Sequence, residues 1–106
     1  MMNNFILVGK LSTITEIENG IIITIRVPRN YKNENGIYEY DFIDCYCYGK
    51  ISNKTQEWCK PDDAIGVKGR VETTFLKGEK TMKLIADRIT FLSSNPDLKK
   101  EDENNG

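Results

Sequence analysis

Residues 37–49 read IYEYDFIDCYCYG, and this stretch is the most informative part of the chain. Successive side chains of a β-strand point to opposite faces of the sheet. One face of this strand would then carry Ile43, Cys45 and Cys47, which suit the interior of a small barrel. The other face has aromatic rings at five of its six positions, which are Tyr38, Tyr40, Phe42, Asp44, Tyr46 and Tyr48. We therefore expect a strand with a small apolar inner side and an aromatic side that faces outward or into a groove.

The residues before this stretch indicate two further strands. The apolar run 5–11 contains Gly9, which is typical of a buried strand that bends or is closely approached at the glycine. Residues 21–27 alternate as a half-buried strand, and Asn19-Gly20 before them is suited to a tight hairpin turn. Pro28 has no backbone N–H to donate, so we expect it to end this strand or to place it at the edge of the sheet.

The connections and the helix are indicated by turn residues and by a change of period. Residues 28–36 contain a cluster of turn residues and predict a loop. Residues 51–60 have helical spacing and predict one short helix, with Ser52 as its N-cap and Pro61 as its stop. The helical face predicted to pack on the core consists of Ile51, Thr55, Trp58 and Cys59.

The last two strands complete an all-β element order. Residues 65–71 alternate as a fourth strand, Lys77-Gly78 predicts a turn, and residues 80–92 predict a fifth strand. Apolar residues fall on both faces of that fifth strand, so we expect a bulge or two-sided burial there. Five strands with one helix between the third and the fourth match the five-stranded Greek-key barrel of the oligonucleotide-binding (OB) fold.

Length and composition predict one domain without catalytic chemistry. The chain has 106 residues and a net charge of −1, and residues 93–106 form a polar, acidic stretch that we expect to be a disordered tail behind a domain of residues 1–92. The chain contains no histidine, which excludes Ser-His-Asp and Cys-His catalysis and histidine-bearing metal sites. We expect no enzymatic activity and no cofactor.

The three cysteines indicate a reducing compartment and no metal. Their odd number, without a signal-peptide pattern, predicts free thiols in the cytoplasm. Three sulfurs without a histidine or a fourth cysteine make a poor closed zinc site. No stretch is long and apolar enough to predict a membrane span.

The aromatic face needs a reason, because large exposed apolar patches are uncommon in monomers. Bases of single-stranded nucleic acid stack on such rings for about 1–3 kcal/mol each, with little dependence on base identity. Basic residues near the face could contact phosphates, and they are Arg26, Arg29, Lys32, Lys50, Lys68, Arg70, Lys77, Lys80 and Lys83. Two alternatives remain open: the rings could dock another protein or subunit, or they could only stabilise the sheet through cross-strand pairs.

Five segments, in order, resemble the bacterial and phage single-stranded DNA-binding protein family. They cover residues 2–92 and read MNNFILVGKL (2–11), GIYEYDFI (36–43), YGK (48–50), DAIGVKGRV (63–71) and IADRITFL (85–92). The resemblance implies an OB-fold protein that coats and protects single-stranded DNA in replication, repair and recombination, independently of sequence. It also implies a homotetramer, or a dimer, in which the N-terminal strand takes part in pairing the subunits.

The resemblance assigns roles to several residues. Tyr31, in the predicted loop after the second strand, Phe42 and Tyr48 match the base-stacking aromatics of the family, and Lys50 would contact a phosphate. Phe75 is the candidate aromatic of the last hairpin, but it lies one residue closer to the preceding glycine than the family pattern places it. Because a one-residue slip reverses the face of a strand, Phe75 needs a bulge or turn to reach the same side.

The resemblance also bears on partners and location. Single-stranded DNA is the expected partner, and replication or recombination proteins are further candidates, although the tail lacks the acidic tip with terminal hydrophobic residues that recruits them in the family. The expected location is the bacterial cytoplasm, with a phage- or plasmid-encoded origin as one alternative. An OB-fold adaptor like the primosomal accessory proteins is the alternative function.

Overall fold

Five strands and one helix form a closed β-barrel in the computed structural model, which describes residues 1–92. The elements are β1 (Phe5–Ile17), β2 (Gly20–Lys32), β3 (Tyr38–Tyr48), α1 (Lys50–Trp58), β4 (Ala64–Leu76) and β5 (Glu79–Phe91). The order around the barrel is β1-β2-β3-β5-β4, and only the β3–β5 pair is parallel among these described strands. The predicted OB fold, with its helix between β3 and β4, is confirmed. The predicted tail, residues 93–106, lies outside the described residues.

The barrel interior is filled by alternate residues of the strands. Burial of one large apolar side chain stabilises the fold by roughly 1.5–3 kcal/mol. The apolar side chains with at most 1% of their surface exposed are Leu11, Ile21, Ile23, Ile25, Cys45, Cys47, Ile65 and Val67. The predicted burial of Cys45 and Cys47 is therefore confirmed, and Ile43 is partly buried and packs against this core.

β5 changes face at a β-bulge. Lys68 of β4 pairs with Arg88, whereas the next residue, Gly69, pairs with Ala86, so that Asp87 is the extra residue. The bulge brings the apolar residues on either side of it to the interior, and these residues are Leu84, Ile89 and Phe91. The irregularity predicted from the apolar pattern of this strand is confirmed.

β1 exchanges partners halfway along its length. Residues 5–10 pair with β4, and residues 10–17 pair with β2. A Cβ atom on Gly9 would collide with the carbonyl oxygen of Arg26, so the predicted close approach at this glycine is confirmed. Among residues 1–92, no strand pairs with the edge of residues 5–9 that faces away from β4. We call this segment the open edge.

The end of β2 differs from the prediction. The strand continues through Pro28 to Lys32, so the predicted loop of residues 28–36 is wrong and the connection comprises residues 33–37. Residues 29–31 lie between two paired positions of β2 opposite a single residue of β3. This bulge explains the difference, because a proline without an N–H group is tolerated where the ladder is interrupted.

The two predicted hairpin turns have different outcomes. The residues of the first turn are Glu18 and Asn19, while Gly20 already belongs to β2, so the predicted turn pair Asn19-Gly20 is wrong by one residue. The Lys77-Gly78 turn is confirmed. Both of its residues have positive φ, 53° and 83°, as a type I′ hairpin turn requires.

α1 lies where the sequence predicts it, but its buried face is rotated. Ser52 and Thr55 are buried in the helix and Cys59 is buried just after it. Trp58 lies about 60° around the helix from Thr55 and is 42% exposed, so its predicted place in the core is wrong. Ser52 is not the N-cap; Gly49 takes that position. No helix among the described residues has the length and apolar character to cross a membrane.

Candidate nucleic-acid interface

The outer face of β3 carries a row of aromatic rings. Phe42 is 62% exposed and Tyr48 is 39% exposed, Tyr38 and Tyr40 are also exposed, and Tyr46 is half-buried. We call these five residues the aromatic row. Tyr46 and Tyr48 alternate with the buried thiols of the same strand, whereas the residues between the first three rings, Glu39 and Asp41, are exposed. The structure turns the rings outward as the alternation predicts.

β2 runs antiparallel along one side of the aromatic row. Asp44 interrupts the row, and its carboxylate accepts a 2.6 Å hydrogen bond from the hydroxyl of Thr24. In the order from Tyr38 to Tyr48, the residues of β2 that pair with this face of β3 are Lys32, Pro28, Arg26, Thr24, Ile22 and Gly20. Two cations of β2 therefore lie beside the rings, and the one acid in the row is already hydrogen-bonded.

Three of the five rings carry a cation over one face. The pairs, with distances from cation to ring centroid, are Arg26 over Tyr40 at 5.3 Å, Lys32 over Tyr38 at 5.6 Å and Lys83 over Tyr46 at 4.7 Å. All three lie within the range of about 6 Å in which the ring quadrupole attracts a cation. Among residues 1–92, Phe42 and Tyr48 have no such cation, although Tyr48 is stacked beside Tyr46 with centroids 6.3 Å apart.

Arg29 is held by carboxylates on the other face of β3. Its Nη2 donates to Asp41 Oδ1 at 3.0 Å, and its Nη1 donates to Glu39 Oε2 at 3.0 Å. The hydrogen bond from Arg29 lowers the pKa of Asp41 below its usual value. The charge of this arginine, predicted as a phosphate contact, is thus already compensated within the protein.

The other two arginines of the predicted set also have acidic neighbours. Arg70 donates from Nε to Glu72 at 2.7 Å and from Nη1 to Asp87, the bulged residue of β5. Arg26 is more weakly paired, with Nη2 lying 3.8 Å from Asp62 Oδ1. Any phosphate that approaches Arg70 must compete with two carboxylates.

The predicted lysines are not compensated in this way. Within residues 1–92, the ion pairs involve arginines only. Lys50, the first residue of α1, is separated from the aromatic row by Gly49 alone, and Lys77 and Lys80 lie at the tip of the β4–β5 hairpin. Lys68 lies on β4, which β5 separates from β3, so the structure does not bring it to the row.

The two aromatic candidates outside β3 are both exposed. Tyr31, predicted in a loop, lies instead in the bulged end of β2. Phe75, 73% exposed, lies opposite Lys80 near the tip of the last hairpin. The ladder is regular from Arg70 to the hairpin tip, so no bulge corrects the slip of Phe75, and this ring lies on the face opposite to Lys83.

Sequence reasoning missed the partners that decide which charges are available. Strand alternation places Thr24 on the face of β2 opposite to the buried isoleucines, and Glu39 and Asp41 on the thiol face of β3, but it does not show which side chain each of them meets. The only available signal was that Thr24 and Asp44 both hold outward positions on consecutive strands. The register that brings them together is visible only in the sheet.

The three thiols belong to the interior and not to a reactive site. Cys45, Cys47 and Cys59 are free and buried. Burial raises the pKa of each thiol to about 12, so each is protonated at neutral pH. No cluster of ligating side chains that could hold a metal ion occurs within residues 1–92.

Sequence comparison relates the chain to bacterial DNA-binding proteins. The model of the single-strand binding protein family matches residues 2–92. Single-stranded DNA-binding protein B of Bacillus subtilis is 26% identical over 113 residues, which cover 96% of this chain and 100% of that protein. Single-stranded DNA-binding protein 1 of Streptococcus pyogenes is 33% identical over 79 residues, which cover 69% of this chain but only 61% of that protein.

Solved structures share the fold. A small single-stranded DNA-binding protein from Mycoplasma pneumoniae superimposes with a TM-score of 0.61 and 18% identity, covering 91% of this chain and 96% of that one. A small single-stranded DNA-binding protein from Streptomyces coelicolor gives a TM-score of 0.59 at 13% identity, covering 86% and 94% of the two chains. At these identities the structural likeness establishes a common fold.

Proposed function

Because the chain belongs to the single-strand binding protein family, we propose that it is a non-enzymatic protein that binds single-stranded DNA independently of sequence. By coating exposed strands it would protect them during replication, repair and recombination. Stacking on rings and contacts to phosphates, rather than contacts to base edges, would supply the affinity.

The aromatic row is the observation that carries this proposal. Exposed rings along one strand, beside lysines that make no ion pair within residues 1–92, suit a ligand that presents flat bases and regularly spaced negative charges. Local arrangement supplies this match although the whole chain has a net charge of −1.

The proposed contacts fall into two groups. Bases would stack on Tyr31, Phe42 and Tyr48, with Tyr38, Tyr40 and Tyr46 completing the aromatic surface. Phe75 lies on the other face of the β4–β5 hairpin, so a base would stack on it only where the DNA crosses the hairpin tip. Phosphates would be contacted by Arg26, Lys32, Lys50, Lys77, Lys80 and Lys83. Arg29, Lys68 and Arg70 would contribute less directly to phosphate binding. Each of the two arginines must exchange a carboxylate partner for a phosphate, and Lys68 would meet a phosphate only if the DNA continues around the barrel to β4.

Titration with oligothymidine of increasing length tests the function, with molar mass measured by light scattering in the same samples. We expect tight binding at low salt that weakens as salt rises. In a plot of the logarithm of the binding constant against the logarithm of the salt concentration, the slope should be about −0.7 per neutralised phosphate.

Tyr48→Ala should lower the binding free energy by about 1–3 kcal/mol and leave this salt slope unchanged. Lys50→Ala should instead flatten the slope by about 0.7. Micromolar or weaker binding to long strands at low salt would refute the proposal.

We also propose that the protein works as a homo-oligomer, a dimer or a tetramer, assembled through the open edge. No strand within the described part of the chain pairs with one edge of residues 5–9, and the outward side chains of this segment, Ile6 and Val8, are apolar and exposed. A recess of about 340 Å³, lined in part by Val8, Pro28 and Tyr40, lies next to the same segment. Both features suit the addition of a strand from a second copy of the chain.

The proposed location is the bacterial cytoplasm. The relatives are bacterial proteins, and the three buried cysteines are unpaired, as a reducing compartment favours. Replication or recombination proteins remain candidate partners there, and co-purification from cells on immobilised single-stranded DNA would identify them.

A further inference from the structure

The rings of the aromatic row differ in whether a cation lies over one face. We call the rings with such a cation capped and those without one among residues 1–92 open, and we propose that these are two functional classes. The open rings, Phe42 and Tyr48, stack on bases. The capped rings are positioning residues that hold cations toward the phosphates. The capped pairs are Tyr38 with Lys32, Tyr40 with Arg26 and Tyr46 with Lys83. This inference rests on the proposed function and deepens it.

The capped pairs follow from the register of the sheet. Lys32 and Tyr38 are directly opposite each other on β2 and β3. Lys83 lies two residues before Ile85, the partner of Tyr46 on β5, and is therefore a diagonal neighbour of that ring. Direct and diagonal cross-strand neighbours are within reach of long side chains. Both strands that flank β3 thus place cations on its rings.

The open rings are also explained by their neighbours. Tyr48 lies opposite Gly20, which has no side chain to place over the ring, and its stacked neighbour is the uncharged ring of Tyr46. Phe42 lies opposite Arg26, but the guanidinium of Arg26 is over Tyr40 and 3.8 Å from Asp62. Phe42 accordingly remains the most exposed ring of the row.

The two classes of ring offer different chemistry to a nucleotide. A base can stack on an open face at once, whereas on a capped face it must first displace the cation. An ammonium over a ring keeps its charge, because the ring is neutral, and it still has protons to donate to an oxyanion. Holding a flexible lysine in place before the ligand arrives also lowers the ordering cost of the phosphate contact. Arg29 differs, because its partners are carboxylates that cancel its charge.

The Tyr38–Lys32 pair allows the sharpest test. Both residues are exposed and Lys32 makes no ion pair within residues 1–92, so their replacement leaves the core intact. Binding of labelled oligothymidine is measured over a range of salt concentrations for Tyr38→Leu, Lys32→Met and the double variant. We expect Lys32→Met to flatten the salt slope by about 0.7. Tyr38→Leu should flatten it by part of that amount with a loss of affinity of about two- to fivefold, and the double variant should match Lys32→Met.

Two control variants separate positioning from stacking. Tyr38→Phe keeps the ring face and should bind like the unmodified protein. Phe42→Leu removes an open ring and should weaken binding by about five- to 150-fold with the slope unchanged. Two results would overturn the division into capped and open rings. Either Tyr38→Leu leaves the salt slope unchanged, or the affinity lost in the double variant equals the sum of the losses in Tyr38→Leu and Lys32→Met. Failure of the unmodified protein to bind oligothymidine at all would refute the proposed function itself, so the two failures are distinguishable.

Discussion

At the scale of single residues, a cation can contact a phosphate readily only if it is not already bound to carboxylates of the protein, so its formal charge alone does not decide its role. Arg29 and Arg70 each donate to two carboxylates, whereas Lys32 and Lys83 lie over neutral rings. Guanidinium groups match carboxylates in a fixed, forked geometry, and ammonium groups do not. Lysine is therefore the better residue for a charge that must stay available.

The Arg29–Asp41 pair gives a prediction about pH. Because Arg29 lowers the folded-state pKa of Asp41 below its unfolded value, the pair stabilises the fold above the unfolded pKa, and this stabilisation is lost as the pH falls through the folded pKa. Arg29→Met should therefore raise the pKa of Asp41 toward its ordinary value, as measured by NMR titration of the carboxyl carbon. Arg70→Met is the matched control and should leave the Asp41 titration unchanged. An Asp41 pKa that stays low in Arg29→Met would contradict the assignment.

At the scale of elements, the bulge in β5 makes the apolar pattern of that strand compatible with a barrel. It also requires a glycine opposite it. A Cβ atom on Gly69 would collide with the carbonyl oxygen of Ile85 and would lie 2.8 Å from Cε1 of Phe5. The oxygen belongs to the backbone of the paired strand, so it cannot move away without disturbing the ladder.

Gly69→Ala should consequently destabilise the barrel. We expect the free energy of unfolding to fall by about 1–3 kcal/mol, as for other overpacked sites, measured by urea denaturation. Gly66→Ala on the same strand is the control, because the nearest atoms to its Cβ would be 3.9 Å away, and it should change stability by no more than about 0.5 kcal/mol. Equal unfolding midpoints for the two variants would show that the bulge tolerates a side chain.

At the scale of the whole molecule, the barrel is closed but β1 is not paired along its full length. Among the described strands, its first half pairs with β4 on one side and with none on the other, and the open edge carries the exposed side chains of Ile6 and Val8. An unpaired edge with apolar side chains favours the addition of another strand unless a charge opposes it.

Val8→Lys should accordingly weaken assembly. We expect light scattering to show a shift of the molar mass toward that of one chain, 12.2 kDa, at concentrations where the unmodified protein is larger. Leu76→Lys replaces another exposed apolar residue, near the β4–β5 hairpin tip and outside the open edge, and should leave the mass unchanged. If both variants keep the mass of the unmodified protein, the subunits meet elsewhere.

The sequence by itself determined the barrel, its element order and the side of β3 that bears the rings. These follow from local patterns, because the alternation of residues 38–48 and the apolar residues on both faces of β5 are fixed by covalent spacing along one strand. The same local reasoning misplaced Trp58 and the end of β2. Which helix residues are buried depends on the elements that pack against the helix. Whether a strand can continue through Pro28 depends on how the neighbouring strand pairs with it.

Only the tertiary structure decided which charges and which rings are available. Lys32 lies over Tyr38 and Arg29 lies between Glu39 and Asp41 because the β2–β3 register brings together residues that are 6 to 12 positions apart in the chain. Strand alternation fixes the face on which a residue lies, but the cross-strand neighbour depends on register and bulges. Register is a property of the paired sheet, so it could not be read from either strand alone.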